Sequence, residues 1–78
     1  MRKPRPVLID WIDSVGLSPG WEHTDSLEPL RPMRCRTAGF LLQRTKKYTT
    51  VTTTLGEGQV LGRLTIPNTA IRRIRKLK

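Results

Sequence analysis

Apolar and polar residues alternate in twos along much of the chain. In VLIDWID, residues 7–13, Val7, Ile9 and Trp11 fall on one side of an extended segment and Leu8, Asp10 and Ile12 on the other, which predicts a strand. A helix is the rival reading there, because Leu8 and Ile12 are four apart. MRCRTAGFLLQRT, residues 33–45, predicts a second strand, with Gly39 marking a bulge, a bend or a close backbone approach. After a turn at Lys46–Lys47, YTTVTTTL (48–55) has the strongest β composition, because branched threonines resist a helix. GEG (56–58) is a turn. In QVLGRLTIP (59–67), Val60, Gly62, Leu64 and Ile66 alternate with Leu61, Arg63 and Thr65, and Pro67, lacking an N–H, ends the strand. NTA (68–70) predicts one turn of 3₁₀ helix. IRRIRKL then predicts a fifth strand, with Ile71 and Ile74 in the core and Leu77 packed inward beside Ile74.

The exception is residues 14–32, punctuated by Gly16, Pro19, Gly20, Pro29 and Pro32. That density excludes a long element and leaves a surface loop with one helical turn around Asp25–Leu30. Trp21 is expected to pin the loop to the core. The expected class is all-β, a single domain over residues 1–78. The short connections exclude parallel crossovers. A small antiparallel sheet must curl or close to bury one face and hide its edges. Gly39 and Gly62 are the natural bending points. The simplest solution is a five-stranded SH3-like or Sm-like barrel with a long loop after the first strand.

At 78 residues and 36% hydrophobic the chain has material for one modest core, with Trp11 and Trp21 expected in it. The single cysteine, Cys35, cannot form an internal disulfide, and no metal-ligand spacing occurs, so neither a metal nor a cofactor is expected. Cys35 and His23 lack the orienting partner a nucleophile and base require, and no enzyme is expected. No apolar run reaches about 18 residues, so no membrane partner is expected and the setting is a reducing cytoplasm.

Charge changes the picture most. Residues 1–30 hold three Lys/Arg and five acids, net −2; residues 31–78 hold twelve Lys/Arg and only Glu57, net +11, giving +9 in all. A positive region attracts nucleic acid or an acidic protein. Arg72, Arg73, Arg75 and Lys76, with Lys78 behind them, form one basic group. Arg34 and Arg36, two apart, share a strand face. Lys46 and Lys47 sit at a hairpin tip beside Tyr48, the best candidate for stacking on a base. The alternative contact surface is the long loop, with Trp21, Glu22 and Asp25.

AGFLLQRTKKYTTVTTTL resembles the first motif of the Sm-like (LSm/Hfq) proteins, and LTIPNTAIRRIRKL resembles the second; together they imply a strongly bent barrel. The order DWIDS, GW, LRPMRC, AGFLL and IPNTAIRRI is similar to small uncharacterised phage and prophage proteins. That resemblance implies a phage accessory protein, in the host cytoplasm, and leaves its activity open. The expected function is non-catalytic binding of RNA or DNA through phosphates, with weak sequence preference. The alternative is a protein-interaction module that binds or inhibits a host protein, or self-assembles.

Overall fold

The computed structural model describes residues 3–77 of the chain. Five strands form one antiparallel sheet: β1 (Pro6–Asp13), β2 (Met33–Arg44), β3 (Tyr48–Gly56), β4 (Gln59–Pro67) and β5 (Ile71–Lys76). Their spatial order is β4-β3-β2-β1-β5. Two single-turn 3₁₀ helices lie at Thr24–Ser26 and Asn68–Ala70. The strand reading of VLIDWID therefore holds over the helical one. Its Val7, Ile9 and Trp11 face the core and its Leu8, Asp10 and Ile12 face out.

Asn68, Thr69 and Ala70 alone connect the two outermost strands. In a flat sheet those strands would lie four spacings apart, roughly 19 Å, whereas the 3₁₀ connection advances only about 8 Å. The sheet must curl, and Gly39 is where it does so most tightly. A Cβ built on Gly39 would sit 2.9 Å from the Thr52 carbonyl oxygen and 3.3 Å from Val51 Cβ, so β2 approaches β3 as only glycine allows. On β4, Gly62 takes φ +80, and a side chain there would collide with the Thr53 hydroxyl.

The curl does not close. Among the described residues no ladder joins β4 to β5, so the expected barrel is an open one with two free edges. The reason is local: Pro67 ends β4 without an N–H to donate, and the chain then turns through Asn68–Ala70 to pair with β1. Asn68 fixes that turn. Its backbone N–H donates to the Lys47 carbonyl (2.9 Å), its Nδ2 to the Thr45 carbonyl (2.7 Å), and its Oδ1 accepts from the Thr49 hydroxyl (2.7 Å).

Inside the curl, Val7, Ile9, Val51 and Ile66 are buried, with Trp11, Leu41, Ala70, Ile71 and Ile74 packed on them. Ile71 and Ile74 are three apart, which in a regular strand would put them on opposite faces. A bulge resolves this. Asp10 pairs with Arg73 but Trp11 pairs with Ile71, so Arg72 is an extra residue and both isoleucines turn inward. Leu77 lies past the strand and is exposed, contrary to its expected inward packing. The buried threonines on β3 are all satisfied: Thr52 donates to the Leu61 carbonyl (2.6 Å), and Thr50 and Thr65 share a hydroxyl bond (2.8 Å).

Trp11 is half-buried, and its Nε1–H donates to the Thr37 hydroxyl (2.9 Å). Trp21 does not pin the loop. It is 103% exposed, and every residue from Ser14 to Pro32 is exposed. The helical turn forms one residue earlier than expected, at Thr24–Ser26. The prolines and glycines deny the segment a repeating apolar face, so no stretch of it packs on the sheet, and it stands away as an arm.

Gly39→Ala should destabilise the fold by about 1–3 kcal/mol through forced overpacking. Gly20→Ala, with no neighbour within 4 Å, should change stability by no more than about 0.5 kcal/mol. Urea unfolding of both variants checks the contrast.

Candidate nucleic-acid interface

The outward positions of three adjacent strands gather four of the nine predicted residues, Arg34, Arg36, Arg73 and Arg75. On β1 these are Leu8, Asp10 and Ile12. β2 sets Ala38, Arg36 and Arg34 opposite them, and β5 sets Arg75 beside Leu8 and Arg73 beside Asp10. Arg34 and Arg36 thus flank one side of β1, and Arg73 and Arg75 the other. The two pairs stand about 10 Å apart across the sheet, with steps of about 7 Å along each strand. Folding brings together two groups that are more than thirty residues apart in the chain.

Asp10 lies in the middle of this face. Arg36 Nε donates to Asp10 Oδ1 at 2.7 Å, the one ion pair among the described residues. That hydrogen bond holds the Asp10 carboxyl below its ordinary value of 3.8; burial opposes it, and the charges of Arg36, Arg75 and Arg73 reinforce it. One carboxylate cannot neutralise four guanidinium groups, so the face stays strongly positive. Leu8 and Ile12, half-buried, give it an apolar floor.

The remaining predicted residues are dispersed. Arg72, the bulge residue, turns its Nη1 back to the Thr69 carbonyl (3.0 Å) and borders a shallow depression with Trp11, Ile12, Arg34 and Arg36. Lys76 pairs with Val7 and so belongs to the inner side of the sheet. There it lines the open end of the curl with Arg5, Leu41, Arg44, Ile74 and Arg75. Lys46 and Lys47 are exposed at the β2–β3 tip, the opposite end of β2 from Arg34 and Arg36. The Thr45 hydroxyl shapes that tip, accepting from the N–H groups of Lys47 (3.1 Å) and Tyr48 (3.0 Å). Tyr48 is 38% exposed and faces a shallow groove with Leu42, Gln43, Thr50, Arg63 and Thr65.

Sequence reasoning left out Arg63 and Arg5 as site residues and grouped Arg44 with Arg34, Arg36, Lys46 and Lys47 rather than with Arg5. Arg63 stands at an outward position of the alternating β4 pattern, a signal that was present. Arg5 and Arg44 meet only because the curl joins strand ends, which no local pattern shows. Glu22 and Asp25 lie exposed on the arm with Trp21. Cys35 is half-buried on β2, with its Sγ toward the Met33 carbonyl (3.7 Å), while His23 is exposed on the arm. Among the described residues no helix is long and apolar enough to cross a membrane, and no group of three His, Cys, Asp or Glu gathers to hold a metal ion.

No family model matches the chain, and no curated protein or solved structure is similar enough to match it.

Because the folded Asp10 carboxyl ionises below its unfolded value, its contribution to stability is complete above about pH 4 and is lost as pH falls through the folded value. Arg36→Ala removes the largest cause. An NMR titration of Asp10 should then move to higher pH; an unmoved titration would assign the depression to Arg73 and Arg75.

Proposed function

We propose that the protein binds nucleic acid non-catalytically through the outer face of β2-β1-β5, with phosphates as the principal contacts and weak sequence preference. The observation that carries this reading is the placement of Arg34, Arg36, Arg73 and Arg75 around a single carboxylate, Asp10, on one exposed sheet face. Guanidinium forks bind phosphate oxygens bidentately. Arginines on a curved sheet face read charge and backbone path. Tyr48, with Lys46, Lys47 and Arg63 nearby, provides a secondary patch on which a base can stack. Lys76, with Arg5 and Arg44, adds positive charge at the open end. We propose a phage accessory role in the host cytoplasm as the setting for this binding, on the resemblance of the DWIDS, GW, LRPMRC, AGFLL and IPNTAIRRI stretches to small phage proteins.

A second reading is favoured by one observation, the full exposure of Trp21 on the acidic arm with Glu22 and Asp25. A fully exposed tryptophan among acids is a protein contact, to a host protein or another copy, rather than a phosphate contact.

Arg34→Ala/Arg36→Ala and Arg73→Ala/Arg75→Ala should each weaken oligonucleotide binding evenly across sequences. Each pair should lower the slope of log K against log salt by about two. Fluorescence anisotropy over a salt series measures both. Slopes unchanged in both variants would remove this face from the account.

A further inference from the structure

We propose that residues 14–32 are an assembly arm whose apolar side chains seat on the β3–β4 hairpin of a second copy of the chain. This rests on the reading of the arm as a protein contact, and names the partner.

The arm has no intramolecular partner for its apolar groups. Leu17 is 94% exposed, Trp21 103%, Leu30 68% and Leu27 54%. Its two legs meet each other where Leu30 lies over Gly16, but not the sheet. The described chain measures 55 × 23 × 22 Å, with a radius of gyration of 16.4 Å; a compact chain of this length would have about 11.5 Å. An arm projecting from a body so narrow leaves its apolar surface for another molecule.

The chain carries a second unpartnered apolar surface. β2 pairs with β3 only as far as Phe40–Thr52, so the rest of the β3–β4 hairpin projects beyond that ladder. Leu61, 71% exposed, stands on one face of it with Arg63 two residues on, and Val60, 41% exposed, on the other. An exposed apolar arm and an exposed apolar hairpin on one chain can satisfy each other between copies.

Charge argues for the same partner. Residues 14–32 contain Glu22, Asp25 and Glu28 against one cation, Arg31, a net charge of −2; since the whole chain is +9, the remainder is +11. Two arms would repel each other, as would two bodies, while arm against body attracts. The contact is therefore arm to hairpin, made twice over in an isologous two-fold dimer or head to tail around a ring.

The test uses the full chain freed of nucleic acid by nuclease and high salt, then returned to low salt. Sedimentation should show an oligomer that dissociates as salt rises. Trp21→Ser and Leu61→Asp should each weaken self-association on the order of thirtyfold or more, the loss typical of a central contact. Each variant should keep the wild-type circular dichroism. Mixing the two should restore a complex of one copy of each, since the first keeps a sound hairpin and the second a sound arm. A wild-type chain that stays monomeric at low salt, association that survives either substitution, or no complex on mixing would overturn the proposal. A lysate pull-down with Trp21→Ser then separates the two readings. If capture falls although the wild type is monomeric, only the second copy is wrong; if capture is unchanged, the arm is not a protein contact.

Discussion

Three residues between β4 and β5 have to bridge the two edges of a five-stranded sheet. That constraint shapes everything else in the molecule. A flat sheet cannot meet it, so the strands coil, and the coil needs one place where backbones approach more closely than any side chain permits. Gly39 against Thr52 is that place. Asn68 completes the turn by bonding to Thr45, Lys47 and Thr49, all on the β2–β3 hairpin or just beside it. Once the sheet is coiled, its concave side is large enough only for a few branched side chains and a tryptophan edge. Its convex side is left to whatever the alternate positions hold, and on β2 and β5, to either side of β1, those positions hold arginine.

The arginine rows come at an electrostatic cost that the fold meets only in part. Like charges opposite one another across strands are destabilising. Placing β1 between β2 and β5 separates the two rows by a strand and puts Asp10 between Arg36 and Arg73. This arrangement keeps the sheet intact without neutralising the face. An unneutralised convex face is the property an anion-binding surface requires. The arm carries the opposite character, acidic and apolar. The protein therefore presents two chemically distinct surfaces joined through β1 and β2, and a nucleic acid on one need not displace a protein on the other.

Much of the fold was legible. Period-two alternation located β1 and β4, threonine-rich composition marked β3, turn residues bounded β2 and β5, Pro67 and Asn68–Ala70 marked the last corner, and the two glycines in strand interiors were at the positions of bending or positive φ. The same alternation put Arg34 and Arg36 on one face. What could not be read depended on pairing between distant segments. The Arg72 bulge has no local signature, yet it decides that Ile71 and Ile74 both point in and that Arg73 and Arg75 point out. The terminal cations read as one group because they are contiguous; the ladder with β1 divides them, sending Lys76 to the side of Val7. Trp21 was misjudged because bulk and hydrophobicity argue for burial, whereas the surrounding prolines and glycines leave the segment no surface of its own to pack against. The barrel was expected to close because closure hides edges, and Pro67 shows why it stops short.

The central claim is that the coil of the sheet separates a phosphate-binding convex face from a protruding arm. Backbone amide chemical-shift mapping during titration with a short single-stranded oligonucleotide tests it most directly. The account predicts shifts concentrated on Leu8–Ile12, Arg34–Ala38 and Arg73–Arg75, with the amides of Leu17 through Leu30 unmoved. Shifts centred on the arm around Trp21, with the convex face silent, would contradict it.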